Sequence, residues 1–121
     1  MAVINFVEKR FEYYNSMGGA ADEGAVMRLS ALRYWMREEC RDKGVRFVEA
    51  DWKDYIGSLD VPRQTNMWDC GLFVCKYIEN LARGIKATDG MAFAEADMPK
   101  IRDEVCMSLI KGRLVCARDW Q

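Results

Sequence analysis

The sequence predicts an α/β (α+β) fold in which a small mixed sheet is packed by helices. Three observations predict it. Apolar residues alternate in strand fashion over residues 2–14, apolar positions recur at helical spacing over 22–43 and 70–83, and the elements run strand, strand, helix, strand, helix, helix. A chain of 121 residues has room for one domain or part of one, not for two cores.

Taken in order, Ala2-Val3-Ile4-Asn5-Phe6 forms an apolar run, Glu8-Lys9-Arg10 a polar turn, and Phe11-Glu12-Tyr13-Tyr14 resumes the run. This is the pattern of a partly buried β-hairpin. Asn15 stands at the strand end, and Ser16-Met17-Gly18-Gly19 is loop by its glycines. Asp22 is placed to cap a helix reaching about Lys43, with Val26, Leu29, Leu32, Met36 and Cys40 on one face and Arg28, Arg37, Glu38 and Arg41 in solvent. Gly44 ends it. Val45-Arg46-Phe47-Val48-Glu49 is the next strand candidate, and Ala50 to Trp68, with Gly57 and Pro62, reads mostly as loop. A helix then starts near Cys70 and stops at Gly84. Its polar residues Lys76, Glu79, Asn80 and Arg83 fall in one narrow stripe, which predicts burial on most other sides and puts Cys70 at the N-terminal end of a core helix. The last helix opens at Asp97, carries Pro99 in its first turn and buries Met98, Ile101, Val105 and Leu109. There is no internal repeat or low-complexity segment.

Half the residues are hydrophobic and 31% are charged, a composition that excludes disorder. The net charge is −1, and no run of Lys and Arg builds a phosphate-tracking stripe, which argues against nucleic acid as a partner. Apolar stretches are far shorter than a membrane span, and the N-terminus lacks the layout of a signal peptide, so a soluble intracellular protein is expected. Five cysteines (Cys40, Cys70, Cys75, Cys106 and Cys116) and no histidine leave no zinc-binding spacing, and no metal or cofactor is expected. Reduced thiols, most of them acting as small buried hydrophobes, are the plain reading.

The chemistry is concentrated in Val61-Pro62-Arg63-Gln64-Thr65-Asn66-Met67-Trp68-Asp69-Cys70-Gly71-Leu72-Phe73-Val74-Cys75. A thiol in the first turn of a helix meets backbone N–H groups and a dipole that favour an anion, so Cys70 is the candidate nucleophile. Gly71 lets a substrate backbone approach. Gln64, on the loop upstream, carries an amide that can donate to a developing oxyanion, with the Cys70 N–H as second donor. Trp68 is expected to pack into the core, and Asp69 to act as a local cap or loop anchor rather than a base.

The pattern Gln-x-x-x-x-Asp-Cys-Gly-x-Phe-x-Cys, from Gln64 to Cys75, resembles the nucleophile motif of the Ulp/SENP family of papain-like cysteine proteases, which process and deconjugate SUMO and related modifiers. Residues 2–6 with Tyr13-Tyr14-Asn15-Ser16-Met17 resemble the strands that follow that family's catalytic histidine and carry its catalytic acid. Asp97-Met98-Pro99-Lys100-Ile101-Arg102 resembles its final helix. The resemblance implies a papain-like fold, represented by its C-terminal portion over residues 1–112 with a tail at 113–121, and an intracellular location, nucleus or cytoplasm. It implies SUMO or another ubiquitin-like protein and its conjugates as partner. It also implies Cys70 as the nucleophile attacking the carbonyl after a C-terminal diglycine, Gln64 as oxyanion donor, and Asn15 in the place of the residue that orients the histidine.

Two departures from the family pattern follow. The family's His-Trp pair lies just ahead of the strand that begins here at Met1, and this chain has no histidine. A truncated gene model, an alternative start or a decayed copy would each produce this, leaving an exposed strand edge and exposed apolar surface. General-base catalysis is worth roughly 10²–10⁴ in rate, so inactivity of the chain as written is the expectation, as a remnant or a modifier-binding module. Asn15 stands where aspartate is usual. In a thiolate–imidazolium pair an Asn oxygen can still accept a ring N–H, as in other papain-like enzymes.

Overall fold

A computed structural model describes residues 1–18 and 23–115. The expected cap Asp22, with Gly19, and the tail from Cys116 lie outside the described residues. The first two strands, β1 (Ala2–Asn5) and β2 (Arg10–Tyr13), form the expected hairpin, antiparallel with Ala2 opposite Tyr13 and Asn5 opposite Arg10. The turn between them is built on Asn5, whose Oδ1 accepts the N–H groups of Val7 (3.1 Å) and Glu8 (3.0 Å).

Helix α1 (Glu23–Asp42) crosses from β2 to β3 (Lys53–Ile56), which pairs parallel to β2, giving the sheet order β1-β2-β3. The period-two alternation of β2 sorts the two cores. Phe11 and Tyr13 face α1, packing with Ala25, Leu29, Met36 and Cys40. Tyr14 joins the other cluster, with Val61, Phe73, Tyr77, Ala87, Met91, Met98 and Ile101 from α2 (Cys70–Ala82), α3 (Met98–Lys111) and the segments around them. The sheet is thus a shared middle layer, and burying an aromatic such as Phe11 or Phe73 on either side is worth about 1.5–3 kcal/mol. Both α1 and α2 end on a glycine with positive φ, Gly44 (64°) and Gly84 (80°). The following residue's N–H folds back to the helix, Val45 to the Cys40 carbonyl at 2.8 Å and Ile85 to the Asn80 carbonyl at 3.0 Å, closing the orphan carbonyls of the last turn.

Several expectations are corrected. Val45–Glu49 is not a strand; the third strand lies at Lys53–Ile56, inside the stretch read as loop. The chain leaving α1 needs residues 45–52 to return to the free edge of β2, and only then can it pair, with Phe47 and Trp52 tucked under Phe11 on the way. On α1, Val26 is 60% exposed and Ala25 takes the buried position. On α3, Met98 and Ile101 are buried and Val105 packs against the core, but Leu109 is 78% exposed. Helix α2 is buried along Phe73, Tyr77 and Asn80, while Cys75 and Ile78 face outward, so its core contact is one face rather than most sides. Asn80 is accommodated inside because its Nδ2 donates to the Lys76 carbonyl at 2.8 Å. The strand β1 lies at an edge of the sheet, and Phe6 and Val7 beyond it are exposed.

Candidate active site

Cys70 is the first residue of α2, and its side chain is exposed. The helix begins where Asp69 presents its carbonyl to the Phe73 N–H at 3.0 Å. Phe73 and Tyr77, one turn apart, anchor it in the core; the Phe73 ring packs on Phe93 with centroids 5.6 Å apart, and the Tyr77 hydroxyl donates to the Pro62 carbonyl at 2.5 Å. Burial pushes the Tyr77 phenol above the ordinary tyrosine range, keeping it neutral and a donor. The thiol is therefore carried on a fixed helix start with its side chain in solvent. A Cβ on Gly71 would meet nothing within 4 Å, so the space beside the thiol is open.

Gln64 is buried (7% exposed), and both ends of its amide are engaged. Its Oε1 accepts the Ser16 hydroxyl at 2.5 Å, its Nε2 donates to the Asn66 carbonyl at 2.7 Å, and its backbone N–H donates to the Ser16 carbonyl at 2.9 Å. An amide nitrogen carries two protons, and the Asn66 contact uses one.

Asn15 follows β2, its backbone N–H on the Ser58 Oγ at 3.2 Å and its Oδ1 accepting the Met17 N–H at 3.1 Å. Ser16 links it to Gln64. A second link runs from Gln64 to Cys70 through Asn66 and Asp69. The Asn66 Oδ1 accepts the Trp68 and Asp69 N–H groups at 3.1 and 3.0 Å, and its Nδ2 donates to an Asp69 carboxylate oxygen at 2.8 Å. Asp69, 5% exposed, also accepts from Arg102 of α3 at 2.5 Å. Asp69 is thus a loop anchor, as expected; its side chain caps nothing. Trp68 is corrected: it is 72% exposed, because the turn closed by Asn66 directs residues 67 and 68 outward rather than into the core.

The sequence reading missed Ser16, Asn66, Glu95 and Arg102. Asn66 had a signal, an Asn three residues before an Asp at a helix start, which is the setting for an Asx turn. Glu95 and Arg102 had none, since each meets the loop from about 30 residues away. Glu95 accepts from Thr65 and Asn66, and the Thr65 hydroxyl, followed by the two backbone N–H groups, holds its carboxyl below the usual carboxylate value. Among the described residues no cluster of Cys, Asp and Glu suited to a metal ion occurs, and no helix is long and apolar enough to cross a membrane.

Cys70 is thus an exposed cysteine heading a core helix, and the buried Gln64 amide is fixed on the loop that leads into it, linked to the helix start through Asn66 and Asp69. Residues 1–113 match the family described as the Ulp1 protease family, C-terminal catalytic domain. The chain belongs to this family of ubiquitin-like-specific cysteine proteases. It is 32% identical over 113 residues to the ubiquitin-like-specific protease ESD4 of Arabidopsis thaliana, covering 93% of this chain and 22% of that protein. It is 30% identical over 115 residues to a sentrin-specific protease of Caenorhabditis elegans (95% of this chain, 15% of that protein). The sentrin-specific protease 2 of Homo sapiens is 25% identical over 116 residues, again 95% of this chain and 18% of its own length. The chain therefore spans about a fifth of the length of these relatives.

Proposed function

We propose that residues 1–112 are the C-terminal part of a catalytic domain that hydrolyses SUMO or another ubiquitin-like protein from its conjugates or precursors, after a C-terminal diglycine. The observation that carries this reading is the exposed Cys70 at the start of α2, preceded by a loop on which the buried Gln64 amide is fixed by Ser16 and Asn66. In the proposed step the Cys70 thiolate attacks the carbonyl carbon, an S–C bond forms and the carbonyl electron pair moves to oxygen. The Gln64 Nε2–H and the Cys70 N–H receive that charge. Collapse expels the amine, which takes a proton, and water then hydrolyses the thioester.

The proton carrier that the family resemblance implies is a histidine oriented by Asn15. By the resemblance that histidine lies about three residues before Met1, on the segment leading into β1, where Met1 exchanges backbone hydrogen bonds at 2.8 and 2.7 Å with Tyr14, next to Asn15 in the chain. A second reading is favoured by one observation, the absence of histidine from all 121 residues. In it these residues bind a modifier without turning it over.

The test is covalent capture of the 121-residue chain by SUMO bearing a C-terminal electrophile, with Cys70→Ala as control. Capture that requires Cys70 supports a modifier-binding site with a reactive thiol. Binding without capture supports the second reading, and neither binding nor capture by a folded protein sinks both. Extending the chain ahead of Met1 so that a His-Trp pair places its histidine about three residues before Met1 is expected to raise turnover by roughly 10²–10⁴ if Asn15 has the proposed role.

A further inference from the structure

The geometry points to Glu95 as a positioning residue that aims the Gln64 amide. The inference rests on the oxyanion role proposed for Gln64. Four donors from two successive residues converge on the Glu95 carboxylate. The Thr65 N–H and hydroxyl reach it at 2.9 and 2.6 Å, and the Asn66 N–H and Nδ2 at 3.0 and 2.6 Å. Thr65 directly follows Gln64, and the Asn66 carbonyl is the acceptor that takes the Gln64 Nε2 proton. One side chain, set at the turn Glu95–Asp97 that leads into α3, therefore fixes the peptide just after Gln64 and the group that orients its amide.

The opposite end of Gln64 is held independently, by Ser16 through both backbone and side chain. Removing the Glu95 carboxylate thus leaves Gln64 in place but loosens residues 65 and 66, whose remaining side-chain anchors are those of Asn66 to the Asp69 carboxylate and to the Trp68 and Asp69 N–H groups, so that the Asn66 carbonyl can shift. The loss falls on the direction of the amide and not on its presence. Placement of a catalytic donor is steeply consequential, since a misplacement of about 1 Å can cost on the order of 10²-fold in rate. The carboxylate is spent on the loop donors, and a negative charge would oppose a developing oxyanion, so its action on the reaction is through Gln64.

The experiment compares two probes of Cys70 in the full chain at pH about 9, where an ordinary thiol is largely ionised. SUMO with a C-terminal aldehyde reports on the oxyanion site. The sulfur adds to the aldehyde carbon, the carbonyl pair moves to oxygen, and that oxygen takes a proton from water. Iodoacetamide reports on the thiol alone: sulfur displaces iodide and no oxyanion forms, with Cys70 resolved from Cys75 and Cys106 by peptide mass spectrometry. Gln64→Ala is expected to weaken aldehyde binding by roughly 10²-fold, and Glu95→Ala by about tenfold, while both alkylate within about twofold of the wild-type rate. Glu95→Gln, which keeps one acceptor oxygen, is expected to fall between. If circular dichroism shows that Glu95→Ala does not fold, Thr65→Val removes one of the four donors and is expected to weaken the aldehyde by about threefold.

Wild-type aldehyde affinity in Glu95→Ala, with Gln64→Ala impaired, overturns the inference and leaves the proposed function standing. No effect of Gln64→Ala overturns the oxyanion assignment itself. An equal fall with both probes means that Glu95 is only structural, and also overturns the inference.

Discussion

Ser16 and Gln64, 48 residues apart, hold each other twice. The Ser16 carbonyl accepts the Gln64 N–H at 2.9 Å, and the Ser16 hydroxyl donates to the Gln64 Oε1 at 2.5 Å. Both residues are buried, so these bonds replace water that neither group can reach. The pair ties the end of the hairpin, where Asn15 stands, to the loop that leads into Cys70.

Ser16→Ala keeps the backbone bond but leaves a buried amide oxygen without its donor. A loss of about 1–3 kcal/mol is expected. Urea unfolding should show a lower midpoint at unchanged slope; an unchanged midpoint would mean that water or another donor reaches Gln64.

Arg102 closes the other side of the loop by donating to the buried Asp69 carboxylate at 2.5 Å. Half of the Arg102 side chain is in solvent, which limits the value of the pair to about 1 kcal/mol. Asp69→Ala removes the Asn66 contact as well and is expected to cost about 2–3 kcal/mol. Thermal or urea unfolding of the two single variants checks the order; Arg102→Ala proving the worse would refute it.

Gly57 fills a space left by two aromatic rings. A Cβ there would stand 2.6 Å from the Tyr14 Cε1 and 2.7 Å from the Tyr55 Cε1, and those rings already pack edge to face at 6.1 Å. Gly57→Ala is expected to destabilise by about 1–3 kcal/mol. It should also displace the next residue, Ser58, from the Asn15 N–H, read as a shift of the Asn15 amide resonance. Wild-type stability would show that the rings part freely.

The Glu95 clamp has a defined pH dependence. Hydrogen bonds from Thr65 and Asn66 lower its folded-state value below the ordinary glutamate value of 4.5. A depressed carboxylate contributes stability that is present above the unfolded value and lost as pH falls through the folded one. The stability difference between wild type and Glu95→Gln should therefore hold steady from about pH 7 to pH 5 and shrink below pH 4.5. Glu8, also lowered through Lys86, is common to both proteins and cancels in the comparison. A difference that grows on acidification would contradict this account.

Legibility followed range. The hairpin, the span of α1, the start of α2 at Cys70 and Pro99 in the first turn of α3 were readable because each is set by side-chain periodicity or a cap within a few residues. The motif from Gln64 to Cys75 marked the candidate site for the same reason. β3 was not readable: Lys-Asp-Tyr-Ile has no alternation, since an edge strand takes its place from the partner β2, about 43 residues earlier. Nor were the outward turn of Trp68, the exposure of Val26 and Leu109, or the burial of Asn80, because apolar spacing says which residues share a face but not how far a neighbour extends over it. By itself the sequence determined the hairpin and the three helices, and it singled out the residues of the candidate site. Tertiary structure alone decided that Ser16, Glu95 and Arg102 would surround it, since contacts between distant segments depend on the path of the chain and leave no periodic trace in it.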